Sequence, residues 1–268
     1  MSVVQERVAV ARPITLSPAA RRVAVRIGTG IVLLALWEGL VHWFAPSYVA
    51  RPSGVARVLP TVLSSARFWS DAKETVAAVF EGLAIGVVVG VLVGLAMGRL
   101  RDVDRLLRFY VGAFFAMPII AMVPVMTLWF GYTSTVRLAI VSLGAFLPVC
   151  LNVYDGTRKL PSEYVEVAQS YHARWWNVWF GIALPASIPY LLAGFRLAAG
   201  RALVAAVIAE YIVALKGLGY FILFDSRTFH QNEATVAVLA LALLGVAINV
   251  GAEAATRRFL PWYRREAS

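Results

Sequence analysis

What most constrains this chain is a series of apolar runs too long for a water-facing surface, such as GLAIGVVVGVLVGLAMG from residue 82 and ATVAVLALALLGVAINV from residue 234. About 18 to 20 apolar residues in a row suffice for a helix to cross the hydrocarbon core of a bilayer. Several stretches reach or approach that length, and mean hydropathy is +0.73 with only 15% charged residues. A soluble domain of this size has no use for so much apolar side chain. The pattern predicts an all-α integral membrane protein with six transmembrane helices, at 28–45, 76–98, 110–130, 135–157, 189–213 and 234–256. Residues 1–26 are then an N-terminal arm, expected to be partly disordered, 27–257 the membrane domain and 258–268 a C-terminal tail.

The formal charge of +10 could point to nucleic acid, but its distribution favours membrane topology instead. With the N-terminus in the cytoplasm, sixteen Lys and Arg fall inside and six outside, which predicts both termini cytoplasmic. The first apolar run follows a basic arm without a convincing small-x-small cleavage site, so it reads as a retained helix. A single cysteine, Cys150, excludes a disulfide framework. His42, His172 and His230 are isolated, which argues against a metal site.

In the second run Gly82, Gly86, Gly90, Gly94 and Gly98 recur every four residues. On a helix they form a ridge without side chains that drifts by about 40° per step. Such a ridge lets another helix approach closely in lipid, as a packing seam or, alternatively, as a sliding surface. Pro118 and Pro124 predict a kinked or split third span, and Pro148 a similar effect in the fourth. In the fifth run, Arg196 and Arg201 would lie within the membrane and Glu210 near its outer end. A charge there costs at least ~2.5 kcal/mol on insertion scales, so it faces a cavity or a partner. The arginines could line a path and stabilise an anion, or pair with Glu81 or Glu253; Arg196 could also snorkel. Glu210 could touch an outer gate or reach water, and Asn249 in the sixth run could meet a solute or bond between helices.

The loop 158–188 is unlike a linker. Within it, EVAQSYHARWWNVWFGIALP carries a glutamate, a histidine, an arginine and three tryptophans. Ser162 can cap a helix whose first turns Glu163 and Glu166 favour, with Ala168, Tyr171 and Trp175 marking an apolar face. Leu184-Pro185 is expected to end it. A short helix of this kind suits docking into a groove on another protein; lying on the bilayer with Trp175, Trp176 and Trp179 at headgroup depth is the alternative.

Glu166-x-Ala168 followed by Ile182-x-Leu184-Pro185 resembles the EAA motif of ABC importer permeases, E-A-A-x3-G-x9-I-x-L-P, with every spacing kept. Val167 stands for the middle alanine and His172 for the glycine; His tolerates left-handed backbone better than most residues. The resemblance runs from about residue 70 to 250 and is nearest the subfamily importing sulfonates, taurine and nitrate. It implies the type I importer fold in a bacterial cytoplasmic (inner) membrane and a homodimer of six-span subunits. It also implies a pair of separate ATPases binding ATP and Mg, an extracytoplasmic solute-binding protein, and no cofactor or catalysis on this chain. Glu163, Glu166, Ala168, His172, Ile182, Leu184 and Pro185 become the ATPase-coupling residues, and Arg196, Arg201, Glu210 and Asn249 the translocation path. The three lysines occur as AKE, RKL and LKG, none of them in a P-loop. An intramembrane protease would need a Gly-x-Ser-Gly-like turn, whereas Ser142 sits in IVSLG. An ATP-independent channel is a third reading. Thiamine precursors and other heterocycles are carried by similar permeases.

Overall fold

The computed structural model describes residues 18–46, 48–160 and 162–259, and among them all regular structure is helical. The helices are α1 (Pro18–Phe44), α2 (Pro52–Ser64), α3 (Ala66–Arg99), α4 (Arg101–Ala116), α5 (Ile119–Phe130), α6 (Ser134–Arg158), α7 (Ser162–Ser170), α8 (Trp175–Val178), α9 (Leu184–Val213), α10 (Leu218–Arg227) and α11 (Gln231–Phe259). A π-helical turn, Trp179–Ala183, joins α8 to α9. Five helical stretches are long and apolar enough to cross a membrane, and the bent pair α4–α5 supplies a sixth.

α6 is the axis of the bundle. Val136, Ile140, Val141, Ala145, Val149, Cys150 and Val153 on it are wholly buried. α3 lies against one side in parallel: Gly82 faces Val141, Gly86 faces Ala145, Gly90 faces Val149, Gly94 faces Val153 and Gly98 faces Thr157. Both helices advance four residues per contact, so the glycine ridge remains in register with its partner over five contacts. A Cβ on Gly86 would come within 2.6 Å of Ala145 Cβ and the Ser142 carbonyl. The ridge is a close-packed seam in this structure, the arrangement expected where lipid removes the hydrophobic drive for helix association.

α9 packs on another side of α6, running antiparallel: Gly194 sits over Asn152 and the Pro148 carbonyl, and Gly144 over Ala205 and the Arg201 carbonyl. Its buried stripe Ala198, Ala199, Ala202, Ala205, Ala206 and Ala209 is small throughout, again permitting close approach. α1, by contrast, is exposed along almost its whole length.

Several boundaries differ from those expected from hydropathy. Helix α1 starts at Pro18, so the last nine residues of the arm assigned to disorder are helical, while the arm before Pro18 and the tail after Phe259 lie outside the described residues. α3 begins ten residues early, and the short helices α2 and α10 were not anticipated. The third span is split at Met117–Pro118 into α4 and α5, with a bend of 109° between them. Met117 is extended (φ −73°, ψ 133°), as a residue before proline prefers. Pro124 stays inside α5 and Pro148 inside α6, and neither helix is split there, so the split falls at Pro118.

The Leu184-Pro185 pair does not end its helix. Backbone continues from Trp175 to Val213 in one run of 39 residues. The reason is the π turn, where the Leu184 N–H donates to the Trp179 carbonyl and the register slips by one residue. Pro185, at the first positions of α9, then needs no donor and starts a helix rather than stopping one.

Candidate functional site

Three of the expected path residues, Arg196, Arg201 and Asn249, line a single groove of about 680 Å³. Phe115, Met117 and Pro118 at the α4–α5 break form the facing wall. The break matters because it releases backbone groups from regular helical bonding; at membrane depth such backbone is tolerated where it lines a cavity. Here the Met117 N–H turns back to the Ala113 and Phe114 carbonyls, closing α4.

The Arg201 guanidinium lies 4.2 Å from the centroid of the Phe115 ring. Arg196 Nε is buried with no hydrogen-bond partner. Among the described residues, neither arginine forms an ion pair with Glu81. Asn249 donates only weakly to its own helix, to the Gly245 carbonyl at 3.3 Å. The groove therefore presents two cations, an amide and an aromatic face, with no carboxylate on its lining. An arginine held in a low-dielectric site without a counter-ion favours an incoming anion.

Glu210 is elsewhere. It has no exposed surface and does not line the groove, so it does not reach water. Its Oε2 accepts from Thr75 Oγ1 at 2.8 Å and from the Gly219 N–H at 3.0 Å, and Oε1 accepts from Arg137 Nη1 at 3.3 Å. Arg137 also donates to the Lys216 carbonyl at 2.8 Å and to Glu74 Oε2 at 3.2 Å. Thr75 Oγ1 in turn accepts from the Leu218 N–H at 2.8 Å. This knot ties α3, α6 and α9 to the α9–α10 turn, which Ala214 (φ 57°) and Gly217 (φ 157°) bend through positive φ. Sequence reasoning missed Arg137 because an arginine four residues into an apolar run reads as an interfacial anchor. The available signal was complementary charge, since Glu74 and Glu210 also stand at the ends of apolar runs. Beside the knot, Arg67 lies over the Phe221 and Phe224 rings and 3.8 Å from both Asp71 and Asp225. Burial pushes the Asp225 carboxyl up, against the opposing pull of Arg67.

At the opposite end of the bundle the EAA-like segment forms a helix, a bend and a second helix. Glu163, Tyr164, Glu166, Val167 and Ser170 of α7 are all exposed, and Ala168 is half-buried. The capping role expected of the Ser162 side chain lies outside the described residues, as does Pro161. His172 makes the bend with φ 53°, and the Ala173 N–H closes it onto the Ala168 carbonyl at 2.9 Å. The left-handed residue followed by this six-to-one bond is a Schellman stop, which usually employs glycine. The bend also separates Tyr171 from Trp175, so these do not share one helical face. Trp175 packs edge-on against Trp176 and Trp179, and Arg174 stacks 3.8 Å from the Trp176 ring. Ile182 and Leu184 are half-buried and Pro185 exposed, all three on the continuous helix leading into α9.

Comparison with known proteins identifies the family and agrees with the helical fold. The family described as binding-protein-dependent transport system inner membrane component matches residues 86–265. A formylaminopyrimidine transport permease of Halalkalibacterium halodurans is 28% identical over 237 residues, covering 88% of this chain and 94% of its own length. A putative aliphatic sulfonates transport permease of Escherichia coli is 30% identical over 233 residues, covering 86% and 88%. The taurine transport system permease of the same organism is 26% identical over 253 residues, covering 92% of each chain. Among solved structures, an inward-facing MetNI methionine ABC transporter superposes with a TM-score of 0.59 at 20% identity over 69% of this chain and 92% of its own, a likeness of fold. The chain belongs to the binding-protein-dependent transport family and is an inner-membrane permease subunit of an ABC importer, with ATP hydrolysis on a separate chain.

Proposed function

We propose that this permease carries a small organic anion, such as an aliphatic sulfonate, taurine or a nitrate-like ion, through a path shared by two copies of the chain. Both termini face the cytoplasm, and a solute-binding protein delivers the anion from outside. Two ATPase subunits, holding ATP and Mg, grip the exposed α7 through Glu163, Glu166, Ala168 and the bend at His172. Their closure acts on α9 through the stiff run that contains Ile182, Leu184 and Pro185. The observation carrying the reading is that Arg196 and Arg201 share one carboxylate-free groove at the break between α4 and α5. The aliphatic sulfonate and taurine permeases among the relatives support the same class.

The test is uptake in vesicles containing the complete complex. Arg201→Gln is expected to lower sulfonate uptake at least tenfold while the assembled complex retains its melting temperature, each lost tenfold corresponding to ~1.4 kcal/mol. Unchanged uptake, or loss of the folded complex, would refute the role in the path. A planar heterocycle is the second reading, favoured by the exposed Phe115 face beside Arg201 and by the formylaminopyrimidine permease among the relatives.

A further inference from the structure

Five arginines gather where α3 ends, α4 begins and α6 ends, none of them on the lining of the transport groove. Arg99, Arg101 and Arg158 line one recess of about 240 Å³, and Arg101, Arg105 and Arg108 line an adjoining one of about 570 Å³. The chain turns sharply here because Leu100 is extended (φ −106°, ψ 108°) between two helices, which aims Arg99 and Arg101 into the same space. Asp104 is committed to Arg108 as a bidentate pair, and Asp102 to Arg105 at 3.2 Å. Arg158 is held by the Tyr154 hydroxyl, to which it donates at 2.7 Å, and by the Tyr154 ring. Among the described residues, no carboxylate lies within ion-pair distance of Arg99, Arg101 or Arg158. Asp104 lines both recesses and also feels Arg158, yet five arginines against Asp102 and Asp104 leave this corner with an excess of three positive charges.

The surroundings say what fills it. Leu106, Phe109 and Tyr110 on α4, next to these recesses, are 67%, 76% and 60% exposed in a chain that spans a membrane. A ligand must therefore bring an anionic head for the arginines and hydrocarbon for the α4 face. We infer that this corner binds the phosphodiester headgroup of an anionic phospholipid in the cytoplasmic leaflet, its acyl chains lying along Leu106, Phe109 and Tyr110. Basic pockets between helices on the cytoplasmic side are suited to such heads, and each basic residue near the surface adds measurably to attraction. Arginine forks also match phosphate oxygens in pairs. The inference uses the orientation proposed above but not the identity of the solute.

The experiment is native mass spectrometry of the full complex in detergent, titrated with dioleoyl phosphatidylglycerol or dioleoyl phosphatidylcholine. The wild-type complex is expected to bind phosphatidylglycerol preferentially, and the triple variant R99Q/R101Q/R158Q to bind it about a hundredfold more weakly. Phosphatidylcholine binding should not change. R99K/R101K/R158K keeps the charge and should keep most of the preference, which separates lipid binding from loss of fold. Equal phosphatidylglycerol binding by the wild type and the glutamine variant would overturn the inference. So would competition by millimolar inorganic phosphate, which would mark a free-anion site, or dissociation of the ATPase with lipid binding intact, which would mark a protein-docking surface. Labelling of Arg105→Cys by a membrane-impermeant reagent from outside intact cells would overturn the cytoplasmic leaflet, and with it the proposed orientation, whereas labelling only after lysis supports both.

Discussion

Glu210 and Arg137, 73 residues apart, meet 3.3 Å from one another in a site where the carboxylate has no exposed surface and the arginine is 8% exposed. Thr75 and the Gly219 N–H complete the shell of the acid, and Glu74 and the Lys216 carbonyl that of the base. The pair joins the ends of three spanning helices to the turn before α10.

Removing one member of that pair leaves the other charged, buried and without its partner. Glu210→Ala is expected to destabilise the protein by ~3–5 kcal/mol, and Glu210→Gln by less because it retains acceptors for Thr75 and Gly219. Thermal unfolding of the detergent-solubilised complex measures both. Equal melting temperatures for Glu210→Ala and wild type would show that the knot contributes nothing to stability.

The glycine seam makes a position-specific prediction. Gly86→Ala places a methyl group 2.6 Å from Ala145 Cβ and from a backbone carbonyl of α6, so it should destabilise by ~1–3 kcal/mol. Gly112→Ala has nothing within 4 Å and should be neutral or slightly stabilising. If the two variants unfold at the same temperature, the α3–α6 approach is looser than described.

His172 holds a left-handed bend where the motif that this segment resembles has glycine. His172→Gly should preserve or improve coupling, because glycine adopts positive φ without strain. His172→Val should weaken coupling, since a β-branched residue pays at least ~1–2 kcal/mol for the same backbone. Solute-stimulated ATP hydrolysis by the reconstituted complex is the readout, and a fully coupled valine variant would show that the bend is unimportant.

Glu166→Lys reverses a charge on an exposed face of α7 without touching the bundle. It should abolish solute-stimulated hydrolysis while the permease stays folded in membranes. Normal coupling in this variant would remove Glu166 from the set of docking residues.

Much of the architecture was legible in the chain because lipid imposes simple rules. Runs near 20 residues pointed to helices, glycines four apart to a face against a neighbour, and Pro118 and Pro124 to a kinked or split span, of which only Pro118 marks the break. What escaped depended on tertiary context. Leu184-Pro185 resembles a stop, yet a slip of one hydrogen bond at Trp179 turns it into a start. The helices α2 and α10, 13 and 10 residues long, are too short to register as spans. Arg196, Arg201 and Asn249 were each identifiable as unusual, but only folding brings them to one groove while sending Glu210 into a sealed knot.

The most direct measurement places a photoreactive cross-linker at a single cysteine replacing Glu166 in vesicles holding the whole complex. An adduct with the ATPase subunit whose yield changes between ATP-bound and nucleotide-free states is expected. Adducts with lipid alone, or none that respond to nucleotide, would mean that α7 is not the part through which the ATPase drives this permease.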